Sequence, residues 1–245
     1  RQWGDMFIKS ADRVILEVNP NLPPMNRGLI INIKDVTCLY ESAHGLWDLP
    51  TIQATEEERK VASYCHELLR DGDCIQLGIG GLPNAIAEAM YDLEDLGIHT
   101  EMFTATMGEM VRRGIVTGAR KNFHQGEHIG CFAGGDMALY KTLAEDPKCH
   151  ILPGTWVVDP MVMKQNDNMV SINTAIEMDL TGQITAESVG PLQVSGTGGA
   201  FDFAYGALHS KGGRGIYAFT STSRNGFSKI NCLLKEGAQV SIPRN

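Results

Sequence analysis

Glu101 lies in the segment Ile98-His99-Thr100-Glu101-Met102-Phe103, which reads as a short strand with the glutamate at or near its C-terminal end. Ligands of open α/β sheets bind outside the carboxyl ends of the strands. A carboxylate there can act as a nucleophile, act as a base, or remain an ordinary solvated side chain. Position alone favours the last of these. In extended backbone His99 shares a face with Glu101, where an imidazole could tune the carboxylate, although a lone histidine is more often structural.

Three glycine or histidine clusters accompany it. Gly78-Ile79-Gly80-Gly81-Leu82-Pro83 follows a buried-type strand and precedes a helix, so its backbone N–H groups are placed for a phosphate. It is not the dinucleotide fingerprint. Pro83 occupies the third glycine position, and the acidic pair Glu94-Asp95 falls in the following helix. A tight turn without a ligand is the plainer alternative. Gly196-Thr197-Gly198-Gly199 lets backbone approach a ligand or present N–H donors to an oxyanion; it also suits a bulge or a turn. His124-Gln125-Gly126-Glu127-His128 matches the H-x-x-E-H zinc pattern. That chemistry needs both histidines on one helix face. With Gly126 inside the motif, Gly130 close behind and no helical stripe, a loop or strand without metal is expected. There is no G-x-S-x-G elbow and no Walker loop.

These residues need elements to hold them. Thr55-Glu56-Glu57-Glu58 is a capping box, and Val61, Tyr64, Cys65, Leu68 and Leu69 follow at helical spacing up to a stop at Gly72. Asp73 to Leu77 reads as a buried strand. Pro83 suits the first turn of a helix striped by Ile86, Met90 and Leu93 and ended by Gly97. With the strand at 98–103 this makes a β-loop-α-β unit, the repeat of parallel sheets. Further helices are expected at Gly108–Arg113 and Asp136–Ala144. Earlier, 12–18 and Gly28–Val36 read as strands. Ile172 to Leu180 alternates, with Ile172, Ile176, Met178 and Leu180 on one face and Asn173, Glu177 and Asp179 on the other. Thr181-Gly182 should turn it into a hairpin with Gln183–Ala186, and Ile216–Thr220 is a last strand.

Composition sets the limits. Of 245 residues 43% are hydrophobic and 20% charged, which suits a globular chain with ample core and excludes disorder. A net charge of −8 argues against a broad nucleic-acid face, so an anionic ligand must be held by backbone N–H groups or a few local cations. Six cysteines lie scattered without a C-x-x-C pair, which points to buried reduced thiols and a cytoplasmic protein. No apolar run approaches the ~20 residues of a membrane span, and no signal peptide is visible.

Six segments taken in order resemble one family: Glu17–Asn21, Gln76–Gly81, Gly97–Phe103, Asn166–Asn173, Asp179–Gln183 and Ser195–Gly199. Each is weak alone, but together they span nearly the whole chain. They are similar to the acetyl-CoA hydrolase/transferase family, and within it to the 4-hydroxybutyrate and butyryl-CoA:acetate CoA-transferases. The resemblance implies an α/β fold, a CoA-transferase-type open sheet with flanking helices, in the second of two related α/β domains. Residues 1–52 would be the tail of the N-terminal domain and 53–245 most of the C-terminal one, relatives extending beyond both ends. It implies Glu101 as the catalytic nucleophile and Gln76, Leu77, Gly78, Ile79 and Gly80 as the CoA-binding loop. Gly198 and Gly199 would stand close to the thioester, with Asn173 a further candidate. Nothing transfers to Thr104–Met107, where many relatives carry a Ser-Asp-Gly type sequence. The expected activity is CoA exchange between a short-chain acyl-CoA and a carboxylate, with hydrolysis or a non-catalytic CoA-binding role as alternatives. Coenzyme A enters as a substrate, with no permanently bound cofactor and no metal. The expected partners are acyl-CoA, short-chain carboxylates and a second copy of the chain, without nucleic acid or membrane.

Overall fold

The structure, a computed structural model, describes residues 3–244. The chain opens with α1 (Gly4–Ser10) and two parallel strands, β1 (Ile15–Val18) and β2 (Cys38–Glu41), whose Ile15, Leu39 and Tyr40 remain exposed. Only the end of the 12–18 run is therefore a strand. The Gly28–Val36 run is not one. Asn32 accepts a hydrogen bond from the Lys34 N–H and winds Ile33–Asp35 into a 3-10 turn, a local bond that competes with strand pairing.

The capping box starts α2 (Glu56–His66): Thr55 Oγ1 accepts from the Glu58 N–H at 3.2 Å, and Glu58 Oε2 accepts from the Thr55 N–H at 2.9 Å. The helix stops at His66, before Gly72. Leu68 and Tyr64 stay exposed, and Gly72 serves the next turn. Next come β3 (Cys74–Leu77), α3 (Gly81–Ala89) and β4 (Gly97–Ile98), so Gly97 begins a strand instead of stopping a helix. The strand expected at 98–103 is broken. Its second half is β5 (Met102–Thr104), and Glu101 sits in the bend before it. Thr104 caps α4 (Ala105–Arg112), and β6 (His128–Gly130), β7 (Phe132–Gly134), α5 (Met137–Glu145, capped by Asp136) and β8 (Cys149–Ile151) follow. Two single turns, α6 (Gly154–Val157) and α7 (Pro160–Met163), lead to β9 (Met169–Thr174). The rest comprises β10 (Glu177–Asp179), β11 (Ile184–Thr185), β12 (Ser188–Val189), β13 (Leu192–Gln193), α8 (Ala200–Leu208), β14 (Arg214–Ala218) and β15 (Ile230–Asn231).

The central sheet runs β14-β9-β3-β4, all parallel, and a bridge from His99 to Ile129 carries it on to the parallel pair β6-β8. Mixed α/β layering with parallel strands is as expected. Alternation along β3 and β9 separates two cores. Ile75, Leu77, Val170 and Ile172 face a cluster with Ala62, Leu82 and Ile86 of α2 and α3. Cys74 and Met169 face the other side, with Phe203 and Ala207 of α8. Toward the strand C-termini that second face turns polar, with Gln76, Ser171 and Asn173 all buried.

The 172–180 segment departs most from its expected pattern. It is two strands, and its polar set is buried along with Ile172: Asn173 is 7%, Glu177 9% and Asp179 0% exposed, against 73% for Leu180. Asp179 is buried because its carboxylate is fully bonded, accepting from Thr181 N and Oγ1, Gln183 N and Nε2, and the Leu234 N–H. These bonds hold its pKa well below the usual carboxylate range against the opposing effect of burial. The hairpin to β11 is present, with Gly182 in the left-handed region. Four cysteines are buried, but Cys38 and Cys232 are exposed. Among the described residues no helix is long and apolar enough to cross a membrane.

Candidate active site

An open cleft of about 870 Å³ lies at the C-terminal ends of β3 and β9. Eight of the sequence-predicted site residues line it: Gln76, Leu77, Gly78, Ile79, Glu101, Asn173, Gly198 and Gly199. They come from four chain regions up to 123 positions apart, and the parallel order of β3 beside β9 brings the first and third of these together. Gly80 lies just outside, in two adjoining depressions that share Ile79 with the cleft. Gly80 has φ +122°, a conformation open only to glycine. This turn lets the chain leave β3 and enter α3 immediately.

Glu101 is held at both ends. Its carbonyl oxygen accepts from the Cys131 N–H at 3.1 Å, the Phe132 N–H at 3.2 Å and Cys131 Sγ at 3.1 Å. These bonds tie the bend to the start of β7. The thiol stays a donor because burial, aided by the nearby Glu101 charge, pushes its pKa up to about 12. At the other end Glu101 Oε2 accepts from the Gly199 N–H at 3.3 Å. Gly199 is the N-cap of α8, and a Cβ added there would stand 2.7 Å from that oxygen. Backbone thus approaches the carboxylate more closely than any side chain at 199 would permit.

The opposite wall is an amide network. Gln76 Nε2 donates to Asn173 Oδ1 at 3.1 Å, and Asn173 Nδ2 donates to Gln76 Oε1 at 3.2 Å and to Ser171 Oγ at 2.9 Å. Ser171 Oγ donates to Gln76 Oε1 at 2.8 Å. Partnered this fully, the amides are fixed in orientation and tolerate burial.

His99 does not tune Glu101. Its Nε2 donates to the Val157 carbonyl at 2.8 Å, its Nδ1 accepts from Asn166 Nδ2 at 3.3 Å, and the ring packs near Trp156 and Phe203. Burial lowers its pKa to about 3, so it is a neutral core residue. His124 and His128 share no helix: His128 lies in β6 and is buried, while His124 sits in a turn with Nδ1 2.5 Å from Glu127 Oε2. Sequence reading missed Glu187 and Met102, which line the cleft, and the Cys131–Phe132 backbone that holds Glu101. No motif marks them, because their roles come from register and loop closure.

Residues 135–245 match the acetyl-CoA hydrolase/transferase C-terminal domain. The chain is 39% identical over 239 residues to a succinyl-CoA:cyclohexane-1-carboxylate CoA transferase of Geobacter metallireducens, covering 97% of this chain and 55% of that protein. It is 37% identical over 238 residues to a 4-hydroxybutyrate coenzyme A transferase of Clostridium kluyveri, covering 97% and 56%. The crystal structure of RipA from Yersinia pestis superposes with a TM-score of 0.92 at 36% identity, over 100% of this chain and 56% of that one. The chain therefore spans about half the length of the relatives it matches. Residues 135–245 thus carry the acetyl-CoA hydrolase/transferase C-terminal domain, and over 97% of its length the chain is similar to CoA transferases.

Proposed function

We propose that this chain carries the nucleophile and much of the coenzyme A site of a CoA transferase, with Glu101 as the attacking group. The observation that carries the reading is the contact between the Glu101 carboxylate and the Gly199 N–H, in a cleft walled by Gln76–Ile79 and Asn173. A Glu101 oxygen attacks the acyl-CoA carbonyl, the C–S bond breaks, and an acyl-glutamyl anhydride and CoA thiolate result. The thiolate attacks the glutamyl carbonyl. The first acid leaves as its carboxylate, and a glutamyl-CoA thioester remains. An acceptor carboxylate then runs the two steps in reverse, restoring Glu101. A thioester is re-formed at each half-reaction, so no other energy source is required.

The Gly199 N–H that touches the resting carboxylate is placed to stabilise the oxyanion formed on Glu101, and losing such a donor costs about 2.7–4 kcal/mol of barrier. Gln76 and Asn173 line the substrate side, and Gly78–Gly80 lets backbone approach the CoA. We assign a short-chain acyl-CoA such as butyryl- or 4-hydroxybutyryl-CoA as donor and acetate as acceptor; the name of the 4-hydroxybutyrate relative supports the acyl group. We assign residues 1–52, including the exposed β1-β2 pair, to the tail of a preceding domain, and 53–245 to the domain holding Glu101.

Intact-mass measurement on the full-length protein tests the reading. Incubation with butyryl-CoA should give a CoA-sized adduct that maps to Glu101 and is absent from Glu101→Gln. Turnover without the adduct, or an adduct that persists in Glu101→Gln, would refute it.

A further inference from the structure

We infer that Glu187 is a positioning residue that fixes the Gly196–Gly199 loop against Glu101; the inference rests on the proposed role of Glu101. The loop has little else to hold it. Residues 191–198 are all exposed, and Cβ atoms added at Gly196 or Gly198 would meet nothing within 4 Å. Packing therefore does not fix residues 196–198; Gly199 is buried against Phe203 with its carbonyl accepting from the Phe203 N–H at 2.9 Å, so α8 holds the loop from one side and hydrogen bonds must hold it from the other. Three of them end on Glu187. Its carbonyl accepts from the Val194 N–H at 2.8 Å and the Ser195 N–H at 3.2 Å, and its Oε2 accepts from Thr197 Oγ1 at 3.2 Å. Gln193 Nε2 adds one bond within the segment, to the Ser195 carbonyl at 2.6 Å.

Glu187 is itself anchored. Its Oε1 accepts from Ser241 Oγ at 3.4 Å, and that hydroxyl accepts from the Ala186 N–H at 2.9 Å. Its neighbour Ser188 is buried, bonded to Thr185 and to the Gln239 N–H. The turn after β11 and the Gln239–Ser241 segment thus hold Glu187, Glu187 holds the loop through Thr197, and the loop leads into Gly199 beside Glu101. The glycine loop is suspended between two carboxylates, and both of them line the cleft.

The role is a matter of bonds more than charge. A glutamine at 187 can still accept from Thr197 and turn its amide to Ser241, whereas an alanine does neither. In the full-length protein, Glu187→Ala and Thr197→Val should each lower kcat about ten- to a hundredfold, the range for one hydrogen bond to a charged group. The KM for acyl-CoA should stay within about threefold, because the substrate-facing Gln76 and Asn173 are untouched. Glu187→Gln and Thr197→Ser should restore most of kcat. The double variant should be no slower than the slower single, since both remove the same tether. Amide exchange at residues 194–199 should accelerate in Glu187→Ala, with melting temperature confirming the fold. Unchanged exchange, additive losses, or a Glu187→Gln as slow as Glu187→Ala would overturn the assignment. If the exchange result holds but the unaltered protein forms no glutamyl adduct, the tether stands and the catalytic reading of Glu101 fails.

Discussion

Gly199→Ala adds one carbon at the point where backbone meets the carboxylate. Gly199 has φ −78° and ψ 5°, so alanine fits the backbone without strain, and the perturbation is confined to what the methyl group touches. It touches Glu101 Oε2 at 2.7 Å and the Phe203 ring at 3.2 and 3.3 Å. The two neighbours respond differently. Phe203 is 1% exposed and must give a few tenths of an ångström, which costs about 1–3 kcal/mol and is partly offset by about 0.4–1 kcal/mol from a stiffer unfolded chain. Glu101 Oε2 lies at the far end of a flexible side chain and retreats, by about 0.7 Å to reach ordinary van der Waals distance. A misplacement near 1 Å at a reacting group costs about 10²-fold in rate. We expect kcat to fall about 10²-fold while the melting temperature drops by no more than about 10 °C, at about 2–4 °C per kcal/mol for a chain of this size. Steady-state acyl exchange together with calorimetry measures both. A variant with kcat within threefold of the unaltered protein would refute the role of the Gly199–Glu101 contact. A loss of activity matched by collapse of the fold would show that 199 is a packing position instead.

Three further outcomes follow from the same geometry. Gly80→Ala forces a side chain into φ +122°, which costs about 1–3 kcal/mol, so it should lower the melting temperature and weaken CoA binding measured by calorimetric titration. His99 is neutral in the fold, with its pKa depressed to about 3, and takes up a proton when unfolded near its ordinary value; the stability it contributes is complete above about pH 6.5 and is lost as pH falls from there toward 3. Denaturant titrations from pH 7 to 4 should therefore show stability falling by up to about 1.4 kcal/mol per pH unit from this group, and a shallower fall in a folded His99→Gln variant. Thr55→Ala removes the acceptor of the α2 capping box and should cost about 0.5–2 kcal/mol in urea unfolding, with little change in kcat.

Much of the fold can be read directly from local chemistry. The Thr55–Glu58 box, the buried run at Cys74–Leu77, the glycine turn into α3 and the Thr181-Gly182 hairpin each depend on residues adjacent in the chain, so sequence alone specifies them. The ordered family segments also single out Glu101. Tertiary structure decided what depends on distant partners. Gly28–Val36 is no strand, because β propensity is expressed only where another strand offers an edge. The polar face of 172–180 turned inward because Gln76, Ser171 and the groups around Asp179 satisfy it, and satisfied polar groups can be buried. His99 was drawn into the core by Val157 and Asn166, 58 and 67 positions away, and so lost its place beside Glu101. The site itself is of this second kind. Sequence supplies a carboxylate and a glycine loop 98 residues apart, and only the parallel pairing of β3, β9 and β14, with α8 packed across them, sets one against the other at hydrogen-bond distance.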